Sequence, residues 1–264
     1  MLQKNISFIF TSHNSNYMKT IYILWLRQLK RYSRSKQRMF ASLAQPLLFL
    51  FAFGFGFGST FAKAGEGSYI QFLAPGIIAM TVMFTAVFSG IEIIWDKQFG
   101  FLKETLVAPV SRFNIMLGRT LGGTTVAFIQ GIIVLLITLL AGFKPLLAGI
   151  PLAIVFMFLL ALFFTAFGTM IASKLDDMQS FPLIINFLVM PLFFLSGALF
   201  PIVGLPSLFN IIVHANPLTY AIDGIRGALI GQHIFSFGLD ALILAFIAFV
   251  CLYIGAEFFK RIQA

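Results

Sequence analysis

Apolar residues come in long blocks along this chain, and polar residues gather in the gaps between them. Six blocks each approach the roughly 20 apolar residues that a helix needs to cross a bilayer. They cover about residues 41–61, 70–91, 114–140, 147–172, 181–199 and 237–258. Inside lipid the backbone must satisfy its own hydrogen bonds, so blocks of this length predict helices. The expected fold is an all-α integral membrane protein whose six transmembrane helices occupy residues 41–262.

The gaps carry patterns of their own. From Asn14 to Arg38, Ile21, Trp25, Leu29 and Tyr32 fall on one helical face, and Arg27, Lys30, Arg31, Arg34 and Arg38 fall on the opposite one. That separation predicts an amphipathic helix within 18–40 lying in the headgroup plane, its basic side toward water and anionic lipid. Residues 1–17 form an N-terminal extension before it. The loop from 95 to 112 mixes charges with Phe99, Phe101, Leu102 and Leu106. It predicts a short amphipathic helix from about 96 to 107, stopped by Pro109. The stretch from Pro201 to Phe235 is long for a structureless loop and too apolar for water. Pro206 and Pro217 divide it into pieces too short to cross, which predicts a re-entrant helical hairpin between the fifth and sixth spans. Glycines recur at four-residue spacing at Gly54 and Gly58, Gly118 and Gly122, and Gly227 and Gly231. Such pairs allow close helix approach in lipid. Gly54 and Gly58, in the run FAFGFGFG, are the expected packing face.

Charge supplies the orientation. Hydrophobic residues make up 59% of the chain and charged ones only 10%, against about 25% charged in a soluble domain. Eight Lys and Arg and no acid lie between Met1 and Met39. Beside a span, such a cluster reflects the cytoplasmic bias of basic residues and attraction to anionic lipid rather than nucleic acid. With the N-terminus inside, fifteen Lys and Arg fall on that side, against Lys63, Lys144 and Arg226 on the other. The bias predicts both termini in the cytoplasm and an even number of spans. The N-terminal apolar run, 6–10, is too short for a secretory signal. The single cysteine, Cys251, permits no disulfide within the chain.

Most recognisable chemistry is missing. There is no GxxxxGK[ST] phosphate loop, no HExxH and no Cys/His cluster. Asp176 and Asp177 form an adjacent acid pair of the kind that can hold Mg²⁺ against a pyrophosphate. A membrane-embedded phosphotransferase is therefore the rival reading, though a second acidic cluster is absent and a solvated turn fits better. The other ionisable groups near the apolar blocks sit toward their edges: Glu92, Asp240 and Glu257, with Asp223 and Arg226 in the hairpin. Span centres free of charge argue against a proton-driven pump. Asp223 and Arg226, three residues apart, share a helix face. Either they pair as a strut that fixes the hairpin as an outer gate, or Arg226 snorkels to the headgroups and Asp223 caps a helix.

The stretch FLSGALFPIVGLPSLFNIIVHANPLTYAIDGIRGALIG, from Phe194 to Gly231, resembles the C-terminal signature of ABC-2 type (type 2) ABC-transporter permeases. Its matching points are Gly197, Phe200, Pro201, Pro206, Asn216, Pro217, Tyr220, Asp223, Arg226 and Gly231. A second block, LKETLVAPVSRFNIMLGRTLGG from Leu102 to Gly123, is similar to the family's loop between spans two and three. The likeness covers roughly residues 18–262, which makes Met18 an alternative start, and it is nearest to the bacterial drug-efflux and nodulation-factor export branch. It implies a permease subunit of an ATP-driven exporter in the bacterial inner membrane, carrying a hydrophobic or amphipathic cargo, drug-like or lipid-like. Export of a lipid-linked glycan or polysaccharide is the alternative. It also implies a homodimer docked on a dimer of ATP-binding subunits, with ATP and Mg²⁺ held there and no cofactor on this chain. By the same likeness, 96–107 is the coupling helix that meets the ATPase, with Phe101, Leu102, Lys103, Glu104 and Leu106 on it. Spans one, two and five line the cargo path. Pro201, Pro206, Pro217, Tyr220, Asp223 and Arg226 form the outer re-entrant gate.

Overall fold

The computed structural model describes residues 2–56, 68–102, 105, 110–200 and 206–260. These are almost wholly helical, with no strand among them. In chain order the helices are α1 Leu2–Arg34, α2 Lys36–Gly56, α3 Tyr69–Phe88, α4 Ile91–Gln98, α5 Arg112–Leu140, α6 Ile150–Lys174, α7 Ser180–Phe194, α8 Ser207–Ala215, α9 Pro217–Ile230 and α10 Phe237–Lys260.

α3 is the centre of the bundle. Every residue from Leu73 to Met83 is buried, as a helix that is apolar all round should be when other helices surround it. Its neighbours are α2, α5, α6 and α9, and to a lesser extent α7. α10 packs instead on α5, α6 and α9. One side of α10 remains uncovered: Leu242, Phe246, Phe249 and Tyr253 are exposed at steps of three or four residues. A stripe of that spacing is the face a membrane helix turns to lipid.

Two ends of the bundle are distinguished by their bonds. At one end meet α1, α4, the start of α5 and the end of α6, through Arg27, Asp96, Arg119 and Lys97. At the other meet the start of α3, the turn after α5, and the segments around Leu199 and Leu229: Tyr69 Oη donates to Leu199 O at 2.9 Å, Gln71 Nε2 to Gly142 O at 3.1 Å, and Leu146 N to Leu229 O at 2.7 Å.

Five helical stretches are long and apolar enough to cross a membrane: Met39–Gly56, Tyr69–Gln98, Arg112–Leu140, Leu147–Lys174 and Phe237–Lys260. The expected fifth block, 181–199, is a 15-residue helix, α7, shorter than a full crossing. Its helix ends at Phe194, and Gly197 turns the chain with φ 78°. The second block extends further than expected, because α4 carries α3 onward past a bend at Ser89–Gly90.

The helix expected over 96–107 is not continuous. α4 ends at Gln98 and Gly100 takes φ 78°, a conformation that breaks the run before Phe101 and Leu102 resume helix. Lys103, Glu104 and Leu106 lie outside the described residues, as do Gly58 and Pro201. α1 ends at Arg34 rather than near residue 38, since Ser35 interrupts it before α2 begins.

Helix contacts are closest at glycines other than the pair singled out from the sequence. A methyl placed on Gly54 would meet only Ile70, at 3.4 Å, an ordinary contact. One on Gly168 would lie 2.3 Å from Val87 O, and one on Gly90 2.5 Å from Gly168 C. The backbones of the α3–α4 bend and α6 therefore touch, which only a missing Cβ allows. Gly168→Ala should force the helices apart and cost about 1–3 kcal/mol, read as a lowered unfolding temperature in detergent. Gly56→Ala, where nothing lies within 4 Å, should leave that temperature unchanged.

Candidate functional site

α4 places Glu92 and Asp96 one turn apart, and α1 places Arg27 and Arg31 one turn apart. The two i,i+4 pairs face each other. Arg27 Nη2 donates to Asp96 Oδ1 at 2.9 Å, and Arg31 Nη1 lies 3.5 Å from both Asp96 Oδ1 and Glu92 Oε2. From α5, Arg119 Nη2 donates to Asp96 Oδ2 at 2.6 Å. Asp96 and Arg119 are 1% and 4% exposed, so their pair has given up most of its water. One carboxylate thus receives guanidinium groups from two other helices. The desolvation cost is offset only because both carboxylate oxygens are bonded.

Glycine makes the seat for α1 on α5. A methyl on Gly122 would lie 2.5 Å from Gln28 Cβ, and one on Gly118 3.0 Å from Leu24 Cβ. From Met18 onward, Leu24, Gln28 and Tyr32 are the buried residues of α1. Trp25 Nε1 donates to Thr125 Oγ1 at 3.0 Å, while Gln130 Nε2 donates to the Tyr32 hydroxyl and, at 3.1 Å, to Ser42 Oγ. The basic side of α1 was expected to face water. The structure corrects this for Arg27 and Arg31, which the buried acids of α4 draw inward, whereas Lys30 and Arg34 stay exposed.

The acid pair at 176–177 performs two local tasks. Lys97 Nζ donates to Ser173 O at 2.7 Å, to Leu175 O at 3.0 Å and to Asp176 Oδ1 at 3.2 Å. It thereby closes the C-terminus of α6, where a cation is favoured. Asp177 caps α7: its carboxylate accepts from Ser180 Oγ at 2.6 Å and from the backbone N–H groups of Gln179 and Ser180. The Ser180 hydroxyl, followed by those amides, holds that carboxyl below its ordinary pKa. Among the described residues no group of three or more His, Cys, Asp or Glu gathers as metal ligands do.

At the opposite end, α8 and α9 follow Pro206 and Pro217 as the prolines predict. Asn216 joins them: its Oδ1 accepts from Leu218 N at 3.0 Å, and its Nδ2 donates to Leu192 O at 2.6 Å. α9 is buried from Leu218 to Leu229. Asp223 and Arg226 do not bond to each other. Asp223 accepts from Ile234 N and Phe235 N, the shortest of these contacts being 2.8 Å. Arg226, 8% exposed, does not snorkel outward. It donates to Gly197 O at 2.9 Å and stacks over the Phe72 ring at 4.0 Å. Tyr220 Oη donates to His214 O at 2.6 Å, tying α9 to the end of α8.

Of the residues proposed to meet an ATPase, Phe101 is exposed and Leu102 is buried at 2%. The Asp96 cluster was missed because each member was assigned to a separate feature: a span end, a loop helix or the count of basic residues. The matched i,i+4 spacing of Glu92 with Asp96 and of Arg27 with Arg31 was the available signal.

The profile of the ABC-2 type transporter family matches residues 19–230. The ycf38 protein of Cyanophora paradoxa, a transport permease by name, is 32% identical over 218 residues, covering 80% of this chain and 74% of its own. Nodulation protein J of Rhizobium leguminosarum bv. viciae is 29% identical over 241 residues, covering 89% and 90%. The inner membrane transport permease YadH of Escherichia coli K12 is 26% identical over 212 residues, covering 79% and 82%.

Removing the Asp96 charge should leave Arg119 buried and unpaired, a loss of about 3–5 kcal/mol. Asp96→Asn should unfold at markedly lower temperature in detergent. Adding Arg119→Met should recover part of the loss, so the double change costs less than the sum of the singles. Simple additivity would place the stabilising contact elsewhere.

Proposed function

The chain belongs to the ABC-2 type transporter family and is a multi-pass membrane transport permease, and from that premise we propose that it is the membrane subunit of an ATP-driven exporter. Its cargo is hydrophobic or amphipathic, drug-like or lipid-like, and it works in a bacterial inner membrane as a homodimer. ATP and Mg²⁺ bind on a separate ATP-binding subunit, consistent with a chain that carries no phosphate loop.

The observation that carries this reading is the link at the basic end of the bundle. Asp96 bonds α1, α4 and α5 together. The end of α4 forms the start of the 96–107 segment proposed to dock on the ATPase. A push on that segment would reach α3, α1 and α5 together, because the backbone of α3–α4 is continuous and the cluster is bonded at both carboxylate oxygens. Coupling of this kind needs a rigid element with more than one arrangement at its far end. The hairpin of α8 and α9, held by Arg226 and Asp223, is the proposed outer gate.

Six crossings fit the positions of the helix ends. Asp177 starts α7 beside the Lys97 cluster, and Leu199 reaches Tyr69 at the other end. Residues 180–199 therefore traverse the bundle although α7 alone is short. α10 starts by the hairpin, where a methyl on Gly227 would meet Phe237. It finishes near the basic end, where Gly255 meets Met116 and Met170. The excess of Lys and Arg at that end supports a cytoplasmic position for it.

Three measurements test the reading. A reporter fused after Ala264 should report the cytoplasm, and one inserted within 62–69 the outside; a C-terminal reporter reading outside overturns six crossings. The purified chain alone should hydrolyse no ATP, whereas its complex with an ATP-binding subunit should. Charge reversal at Glu104 should weaken that complex or uncouple hydrolysis from transport while the chain stays folded.

A further inference from the structure

A groove of about 640 Å³ lies between α1 and Phe101. Ile23 and Phe101, 62% and 48% exposed, give it apolar surface. Leu26 and the basic residues Arg27, Lys30, Arg31 and Arg34 line the rest. Among the described residues, basic charge exceeds acidic charge around it. Around it and the adjoining cluster, five cations, these four and Arg119, meet two carboxylates, Glu92 and Asp96. Arg27, Arg31 and Arg119 take both carboxylates. Lys30 and Arg34 have no carboxylate partner among the described residues and stay exposed.

We propose that this groove is a binding site for one anionic phospholipid of the cytoplasmic leaflet, its phosphate held by Lys30 and Arg34 and an acyl chain laid along Ile23 and Phe101. The site joins two chemistries that a lipid also joins. An apolar wall beside an unpaired basic rim suits an amphiphilic anion better than inorganic phosphate, which would gain nothing from Ile23 and Phe101. It also suits a lipid better than an acidic protein loop, because the exposed apolar surface continues along α1 at Met18 and Tyr22, 69% and 57% exposed, as the lipid-facing side of an interfacial helix does. Because Phe101 follows Gly100 directly after α4, an occupied groove would brace the proposed ATPase-docking loop against α1. The inference rests on the cytoplasmic interfacial placement of α1 proposed above, which the topology reporters test separately.

Native mass spectrometry of the purified full chain with phosphatidylglycerol or phosphatidylcholine provides the test. Phosphatidylglycerol should be retained in preference to phosphatidylcholine. Each near-surface cation contributes roughly a fivefold gain in affinity for an anionic lipid. Lys30→Gln with Arg34→Gln should therefore weaken retention about thirtyfold. The charge-preserving pair Lys30→Arg with Arg34→Lys should bind as the unaltered chain does, which separates lost affinity from lost folding. Lys144→Gln, at the opposite end, should have no effect. Equal retention of the two lipids, or unchanged phosphatidylglycerol binding in the Gln pair, overturns the proposal. Displacement of the lipid by inorganic phosphate would make this a simple anion site. Loss of ATP-binding-subunit assembly in the Gln pair with lipid retention intact would make it a protein-docking surface. Either result also overturns the proposal.

Discussion

The carboxylate of Asp96, 1% exposed and bonded to guanidinium groups from α1 and α5, is the contact on which the arrangement of this bundle's basic end depends. α1 packs along α5 over much of its length, but close packing alone does not fix where along α5 it lies. The buried acid gives it a fixed register, since Arg27 and Arg31 can both reach α4 only when α1 lies across it at one position. The glycines of α5 then set how close it lies: Gly118 and Gly122 let Leu24 and Gln28 approach to distances that a Cβ would forbid. Charge sets the register here and small residues set the depth, which in lipid is the usual division between polar bonds and close packing.

The other end uses a different device for a similar task. Arg226 is nearly as buried as Arg119, yet it bonds backbone carbonyls of the 197–198 turn and stacks on Phe72 rather than pairing with an acid. Those carbonyls belong to a segment where α7 has ended and the helix can no longer satisfy them. A buried carbonyl without a donor is costly in an apolar setting, so the arginine serves the backbone and the backbone neutralises part of its desolvation. Asp223 does the converse for the N–H groups of Ile234 and Phe235. Between them, one side chain of each sign closes the irregular stretches on either side of the α8–α9 pair. That accounts for short, proline-broken helices persisting beside apolar ones.

These two ends differ in what they can transmit. At the basic end the Asp96 cluster is bonded side chain to side chain across three helices. The hairpin end is bonded side chain to backbone across loops. Movement at the first is passed to whole helices, α3 above all, whose buried run from Leu73 to Met83 touches most of the bundle. Movement at the second can be taken up by turns at Gly197 and Gly231, both at positive φ. A rigid basic end and a yielding opposite end are what the proposed coupling to an external energy source would require.

Much of this was legible along the chain. Apolar blocks of bilayer length dictated helices because lipid leaves the backbone no other partner, and Pro206 and Pro217 marked the starts of α8 and α9 because proline at a helix's first turn gives up no intrahelical bond. The signature from Phe194 to Gly231 was enough to indicate the family. Partners across the fold were not legible. Asp223 and Arg226 share a helix face, but only the packed structure puts backbone amides beside one and carbonyls beside the other. Gly54 looked like the packing glycine because its neighbours repeat, whereas contact depth at Gly90, Gly118, Gly122 and Gly168 depends on which helix lies opposite. Periodicity reports how a helix meets its surroundings on average, so the sequence by itself determined the helices, their apolar faces and the basic end. Which buried charge meets which, and which backbones touch, depends on pairs of residues dozens of positions apart, and that only the tertiary structure decided.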